Sequence, residues 1–256
     1  IFVFGAAIVA WTVLELDETP VALAAALALL AAGATSAERF YAGLGDDFIW
    51  LLVGAFVLAA VLQSSGLAER WALQLVASAS TPAALMYRLT GCIAATAFVV
   101  PSTSGRAALL LPVFLALAQA LPGPRLVRAL ALLFPSVILL SACASMLGAG
   151  AHLVALDFMD RLGADAPGFI EWIALAAPFG LASSALACAL ILRLFLTRAE
   201  RSAPLALPRP ARDPLTRRQW GVVAVAAATL LAWATGGWHG VAAPIVAVGG
   251  ALLATL

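Results

Sequence analysis

Residues 98–112 read FVVPSTSGRAALLLP, and a polar tip, Pro101 to Arg106, separates two apolar half-segments. Three hydroxyls (Ser102, Thr103, Ser104), the open N–H groups of a helix start and one arginine together suit an anion. Carbonyls at the end of the first half-segment suit a cation. Gly105 permits the tight turn between them. Arg106 has three possible roles. It pairs with the anion through its fixed donor fork, it supplies a built-in positive charge in place of a bound cation, or it snorkels and does neither.

A second stretch, 141–152, reads SACASMLGAGAH and interrupts an apolar run that continues as LVALDFMD. Glycines at such a point mark either an unwound segment, whose freed carbonyls can hold a cation, or close helix packing. His152 falls at this break. An ionisable residue inside a membrane is a functional candidate; the alternative is a satisfied polar residue with no role. Substrate-binding candidates are therefore Ser102, Thr103, Ser104 and Arg106. Cation-binding candidates at the break are Gly148, Ala149, Gly150 and His152. Ser104 and His152 also offer the nucleophile and base of an intramembrane serine protease, although nothing specifies their hydrogen-bond reach or an oxyanion hole. A passive channel is a further alternative, and it predicts flux without saturation.

The elements that must position these residues are membrane helices. Of 256 residues, 64% are hydrophobic and 11% charged, less than half the charged share of soluble domains. No soluble core hides that much apolar surface, so lipid is the solvent. A net charge of +1 gives no sign of nucleic-acid binding. Cys92, Cys143 and Cys188 lie far apart in apolar runs, with neither metal nor disulfide spacing. Candidate spans are 1–14, 20–34, 48–62, 82–100, 106–121, 126–147, 168–196, 219–235 and 241–256, several of them shorter than the about 20 residues a full crossing needs. Residues 66–78, GLAERWALQLVAS, place Glu69, Arg70 and Gln74 opposite Leu67, Trp71 and Leu75, the pattern of a helix lying in the interface. Trp50, Trp172, Trp220 and Trp238 fall near helix ends, where interfacial anchors sit. The chain starts at Ile1 and stops at Leu256 within apolar runs, which reads as a piece of a longer protein.

All 14 basic residues are arginine. Arg193, Arg198, Arg201, Arg209, Arg212, Arg217 and Arg218 cluster with Pro204, Pro208, Pro210 and Pro214. This is a basic, proline-broken linker on the cytoplasmic side. Working backward places Arg70, Arg88, Arg125 and Arg128 inside as well. The outside loops, 35–47 and 157–171, hold seven acids but only Arg39 and Arg161. By this count both half-segments around the tip begin near the cytoplasmic side, which describes a re-entrant hairpin. Two full spans joined by an outside loop also satisfy the charges. Exposed non-helical backbone is forbidden in lipid, so a re-entrant tip must line a protein or water cavity.

PSTSGRAALLLP resembles the hairpin signature of the divalent anion/sodium symporter (DASS) family of the ion transporter superfamily. That signature carries Ser-Asn-Thr, often followed by Ala-Arg. Ser102, Ser104 and Arg106 match it, and Thr103 stands where Asn is usual, a departure that bears on dicarboxylate specificity. QSSGLAERWAL resembles the family's interfacial helix, LGAGAH its broken helix and APFGLASS the span that follows. The resemblance implies an all-α polytopic membrane protein with a re-entrant hairpin and a broken helix, one of two inverted repeats. It divides the chain into scaffold helices (1–62), interfacial helix (63–80), hairpin and broken helix (81–167), a span (168–197), the linker (198–218) and the start of a second repeat (219–256). It also implies alternating-access transport of a small anion (di- or tricarboxylate, sulfate or similar) by cation symport or anion exchange, with sodium as a possible coupling ion, no other cofactor, and the cation held by Ser102, Ser104 and Gly105 of the tip together with the break. A homodimer in the cell's inner membrane goes with it. Residues 219–256 contain no second Ser/Thr-rich tip, so the chain is expected to hold half a site.

Overall fold

In lipid each backbone N–H and C=O needs an internal partner, so an apolar chain rich in Ala and Leu resolves into helices. The computed structural model describes residues 1–67, 70, 71, 74, 78–100, 102–121, 123–205 and 214–255. It is all-helical, with no strand among the described residues. Glu69 and Leu75 of the expected interfacial helix lie outside the described residues. So do Pro101 of the tip and Pro208, Arg209, Pro210 and Arg212 of the linker.

The chain divides into two compact units, Ile1–Ile49 and Trp50–Leu256. In the first, α1 (Phe2–Thr12) packs along α2 (Glu18–Ala31). α3 (Ala37–Leu44) occupies much of the segment expected as an outside loop. Its start is fixed by Ser36, whose hydroxyl accepts the Arg39 N–H at 3.2 Å, a side-chain cap that turns a polar stretch into a short helix.

α4 (Asp47–Ser64) follows. In the expected interfacial helix, Leu67, Arg70, Trp71 and Gln74 are helical. Leu67 is buried against Leu62 and Val222, whereas Trp71 is exposed. The core of the second unit is built by α5 (Pro82–Ala95), α6 (Thr103–Ala120), α7 (Pro124–Leu140), α8 (Gly150–Arg161) and α9 (Phe169–Phe195). Leu85, Met86, Leu89 and Ile93 of α5 recur at helical spacing and meet Leu110, Val113 and Leu117 of α6 and Leu130, Leu133 and Val137 of α7. After α9 come α10 (Arg198–Ser202), α11 (Arg217–Ala234), α12 (Gly236–His239) and α13 (Ala243–Thr255). α6, α9 and the continuous stretch Pro124–Ala144 are long and apolar enough to cross a membrane.

The base of α5 is marked by main-chain pairing of Leu205 N–H with Ser80 O at 2.9 Å. A recess there is lined by Pro82, Gly123, Leu126, Leu196 and Leu205. Thus α5 begins where α6 ends, α7 begins and α9 ends. α5 and α6 form a hairpin that enters and leaves at one end. Gly180 of α9 fixes the depth of the break: a Cβ built there would lie 3.0 Å from Cys143 Sγ and 3.1 Å from Ala144 N. At 1.5 Å per residue, Gly180 is about 23 Å from one end of α9 and about 17 Å from the other. The break, and the hairpin tip bonded to it, therefore sit within the thickness that α9 traverses, as a re-entrant tip does.

Candidate functional site

The hairpin's first arm starts at Thr81, whose hydroxyl accepts the Ala84 N–H at 3.2 Å, with Pro82 in the first turn. Both are standard helix-start chemistry. α5 tightens into a 3-10 turn, Thr96–Phe98, and helical geometry stops as the chain approaches a proline, which disfavours it in the residue before. The second arm starts at Ser102. Its extended backbone and its hydroxyl, accepting the Gly105 N–H at 3.1 Å, cap α6. Thr103, Ser104 and Gly105 make the first turn. Thr103 is half-buried and Ser104 exposed, and among the described residues neither hydroxyl makes a hydrogen bond.

Arg106 is different: it is 0% exposed. Its Nε donates to Thr96 Oγ1 (2.9 Å), Nη1 to the Ile138 carbonyl (2.9 Å), and Nη2 to the Ile93 carbonyl (2.8 Å) and Ser141 Oγ (2.7 Å). Four of the five donors of a guanidinium are thereby used. The acceptors come from the ends of α5 and α7, so one side chain joins the hairpin to the broken helix.

The break follows α7 as two 3-10 turns, Ala142–Ala144 and Met146–Gly148. Gly148 is required sterically: a Cβ there would sit 1.9 Å from the Ala142 carbonyl oxygen. Ser145 caps the second turn through the Leu147 N–H at 3.2 Å. Ala149 and Gly150 return the chain to helix α8. His152 lies in its first turn, and its buried Nδ1 has no hydrogen-bond partner. The His152 ring stands 5.0 Å from that of Trp172, whose indole N–H donates to the Cys143 carbonyl at 2.9 Å. Trp172, expected as an interfacial anchor, thus takes part in the break. The turn Thr96–Phe98 packs against both turns of the break.

Arg106 is therefore joined to the start of the break, Ser102 and Gly105 shape the turn before it, and Ser104 stands exposed beside half-buried Thr103. Ser104 and His152 share no hydrogen bond among the described residues. Four residues that hold the hairpin and the break together were not among the binding candidates: Thr96, Ser141, Cys143 and Trp172. Thr96 and Ser141 had a visible signal, being hydroxyls within apolar runs at the ends of the two helices that Arg106 joins.

Apolar helices, a hairpin and a broken helix whose interruptions meet partway along α9 are parts that a polytopic membrane transporter uses. The chain belongs to the citrate transporter family (CitMHS), whose family model matches residues 6–256. That family is part of the ion transporter superfamily and carries citrate-like anions. No curated protein matches the chain.

Proposed function

We propose that the protein is a secondary active transporter of a di- or tricarboxylate of the citrate type, working by alternating access. The observation that carries this reading is the meeting of tip and break within the thickness spanned by α9. At the tip, the hydroxyls of Thr103 and Ser104, with the first N–H groups of α6, receive the anion's carboxylate oxygens. Ser102 holds that turn in shape. The break supplies the carbonyl-rich wall, and a coupling cation, where one is used, is taken there near Gly148, Ala149, Gly150 and His152.

The likeness of PSTSGR to the DASS signature supports the same hairpin site. Thr103 in place of Asn exchanges an amide for a hydroxyl, which gives a carboxylate oxygen one donor where the amide has two. On this reading a second, inverted repeat completes the site, two copies form a homodimer, and residues 198–218 face the cytoplasm from the inner membrane.

The test is uptake of labelled citrate, succinate and sulfate by the full-length protein in proteoliposomes. It is run with a sodium gradient, with a pH gradient, and with unlabelled anion inside. Saturable, gradient-driven or exchange-driven uptake of a carboxylate is the expected result. Uptake linear in concentration and indifferent to every gradient would make the protein a channel.

A further inference from the structure

Arg106 is a cation held by oxygens alone. Among the described residues no carboxylate pairs with it. Its partners are the Ile93 and Ile138 carbonyls and the Thr96 and Ser141 hydroxyls. Each hydroxyl directs its own proton to a helix carbonyl, Thr96 to Ile93 O at 2.6 Å and Ser141 to Val137 O at 2.5 Å. The lone pairs of both oxygens are thereby turned toward the guanidinium. The carbonyls belong to the last turns of α5 and α7, the negative ends of two helix dipoles. Four neutral oxygens converging from two helix ends are the ligand set an alkali cation would use. Here a covalently attached cation takes it.

We propose that Arg106 is a resident cation. It fills the oxygen cage between hairpin tip and break, positions Ser102, Thr103 and Ser104, and leaves no room in that cage for an exchangeable metal ion. Arg106 is a positioning residue, and it does not touch the transported anion. The proposal rests on the transporter reading only for what the tip receives; the cage itself follows from the bonds. Any coupling cation must then bind elsewhere, either on the open side of the break or in another part of the protein.

The test combines thermal unfolding of the purified full-length protein with citrate uptake in proteoliposomes. Arg106→Ala and Arg106→Lys are compared with wild type, each in choline, sodium and dilute guanidinium. The Tm of the wild type should not respond to sodium or to dilute guanidinium. Arg106→Ala should lower uptake roughly ten- to a hundredfold, the usual loss when a supporting group is removed. Guanidinium should partly restore both its Tm, without any anion present, and its uptake. Lysine, a point charge without the fork, should restore less than arginine.

Should Arg106→Ala not fold, Thr96→Val and Ser141→Ala each remove one cage oxygen with the arginine in place. Each should lower Tm, and each should slow uptake without changing the order of preference among anions. Three results would overturn the proposal. One is a wild-type Tm that rises with sodium and falls back when Arg106 is replaced. Another is Arg106→Ala with unchanged Tm and a raised KM alone, which makes Arg106 a substrate ligand. The third is Thr96→Val and Ser141→Ala both matching wild type in Tm and uptake. If the wild type carries no anion at all, the transporter reading fails, and the Tm responses still decide whether the cage is real.

Discussion

The hairpin tip and the break are both polar interruptions of apolar helix, yet they dispose of their polar groups in opposite ways. In the break the buried side-chain hydroxyls are used within the fold. Ser141 accepts from Arg106 and donates to Val137, Ser145 caps Leu147, and the Cys143 carbonyl takes the Trp172 indole. Among the described residues, the His152 Nδ1 is the one buried side-chain nitrogen or oxygen without a partner. At the tip, the Ser102 hydroxyl serves as a cap while Thr103 and Ser104 keep theirs open. A frame needs its hydrogen bonds internally satisfied because unpaired polar groups are costly in a low-dielectric setting. A binding surface needs the reverse. The break therefore reads as frame and the tip as the surface that meets the anion.

This contrast can be broken at three points, taken in falling order of effect. Gly148→Ala attacks the frame directly, since its methyl would overlap the Ala142 carbonyl. We expect a loss of about 3 kcal/mol, the upper part of the range for overpacking. It should be seen as a lower Tm together with abolished citrate uptake. Ser104→Ala attacks the surface: KM for citrate should rise roughly tenfold, the worth of one hydrogen bond to a charged group, with Tm unchanged. Ser102→Ala touches both roles. Losing the α6 cap should cost about 1 kcal/mol, while Ser102→Gly should cost only a few tenths, a difference readable by thermal unfolding.

The smallest effect lies away from both. The Thr197 N–H, then the Thr197 hydroxyl, hold the Glu200 carboxyl below the usual carboxylate range, with Arg125 at 3.4 Å adding to it. A lowered carboxyl pKa gives stability above the unfolded-state value that is lost as pH falls through the folded-state one. Glu200 keeps 39% of its side chain exposed, so solvent screens the gain. Glu200→Gln should lower Tm at neutral pH only slightly, and the wild type should converge on the variant in acid.

Hydropathy located the helices well because apolar length is what lipid selects. The expected spans 168–196 and 219–235 differ from α9 and α11 by at most two residues at either end. The glycine pair 148 and 150 pointed to the break because a Cβ at position 148 cannot coexist with the fold. Two features were hidden. α3 was read as a loop because its charged residues masked a short capped helix. The partners of Arg106 were invisible because two are main-chain carbonyls and all lie 10 to 35 residues away in sequence. A pattern of side chains shows that an arginine stands beside three hydroxyls. Only the fold shows that it turns from them toward the ends of two helices.

The most direct test of the division between frame and surface is one comparison of KM and Tm. The Thr103→Val/Ser104→Ala double variant is measured against wild type for labelled citrate in proteoliposomes and for thermal unfolding in detergent. The account predicts a raised KM with an unchanged Tm. A KM equal to that of the wild type, with uptake still saturable, would contradict it and place the anion elsewhere.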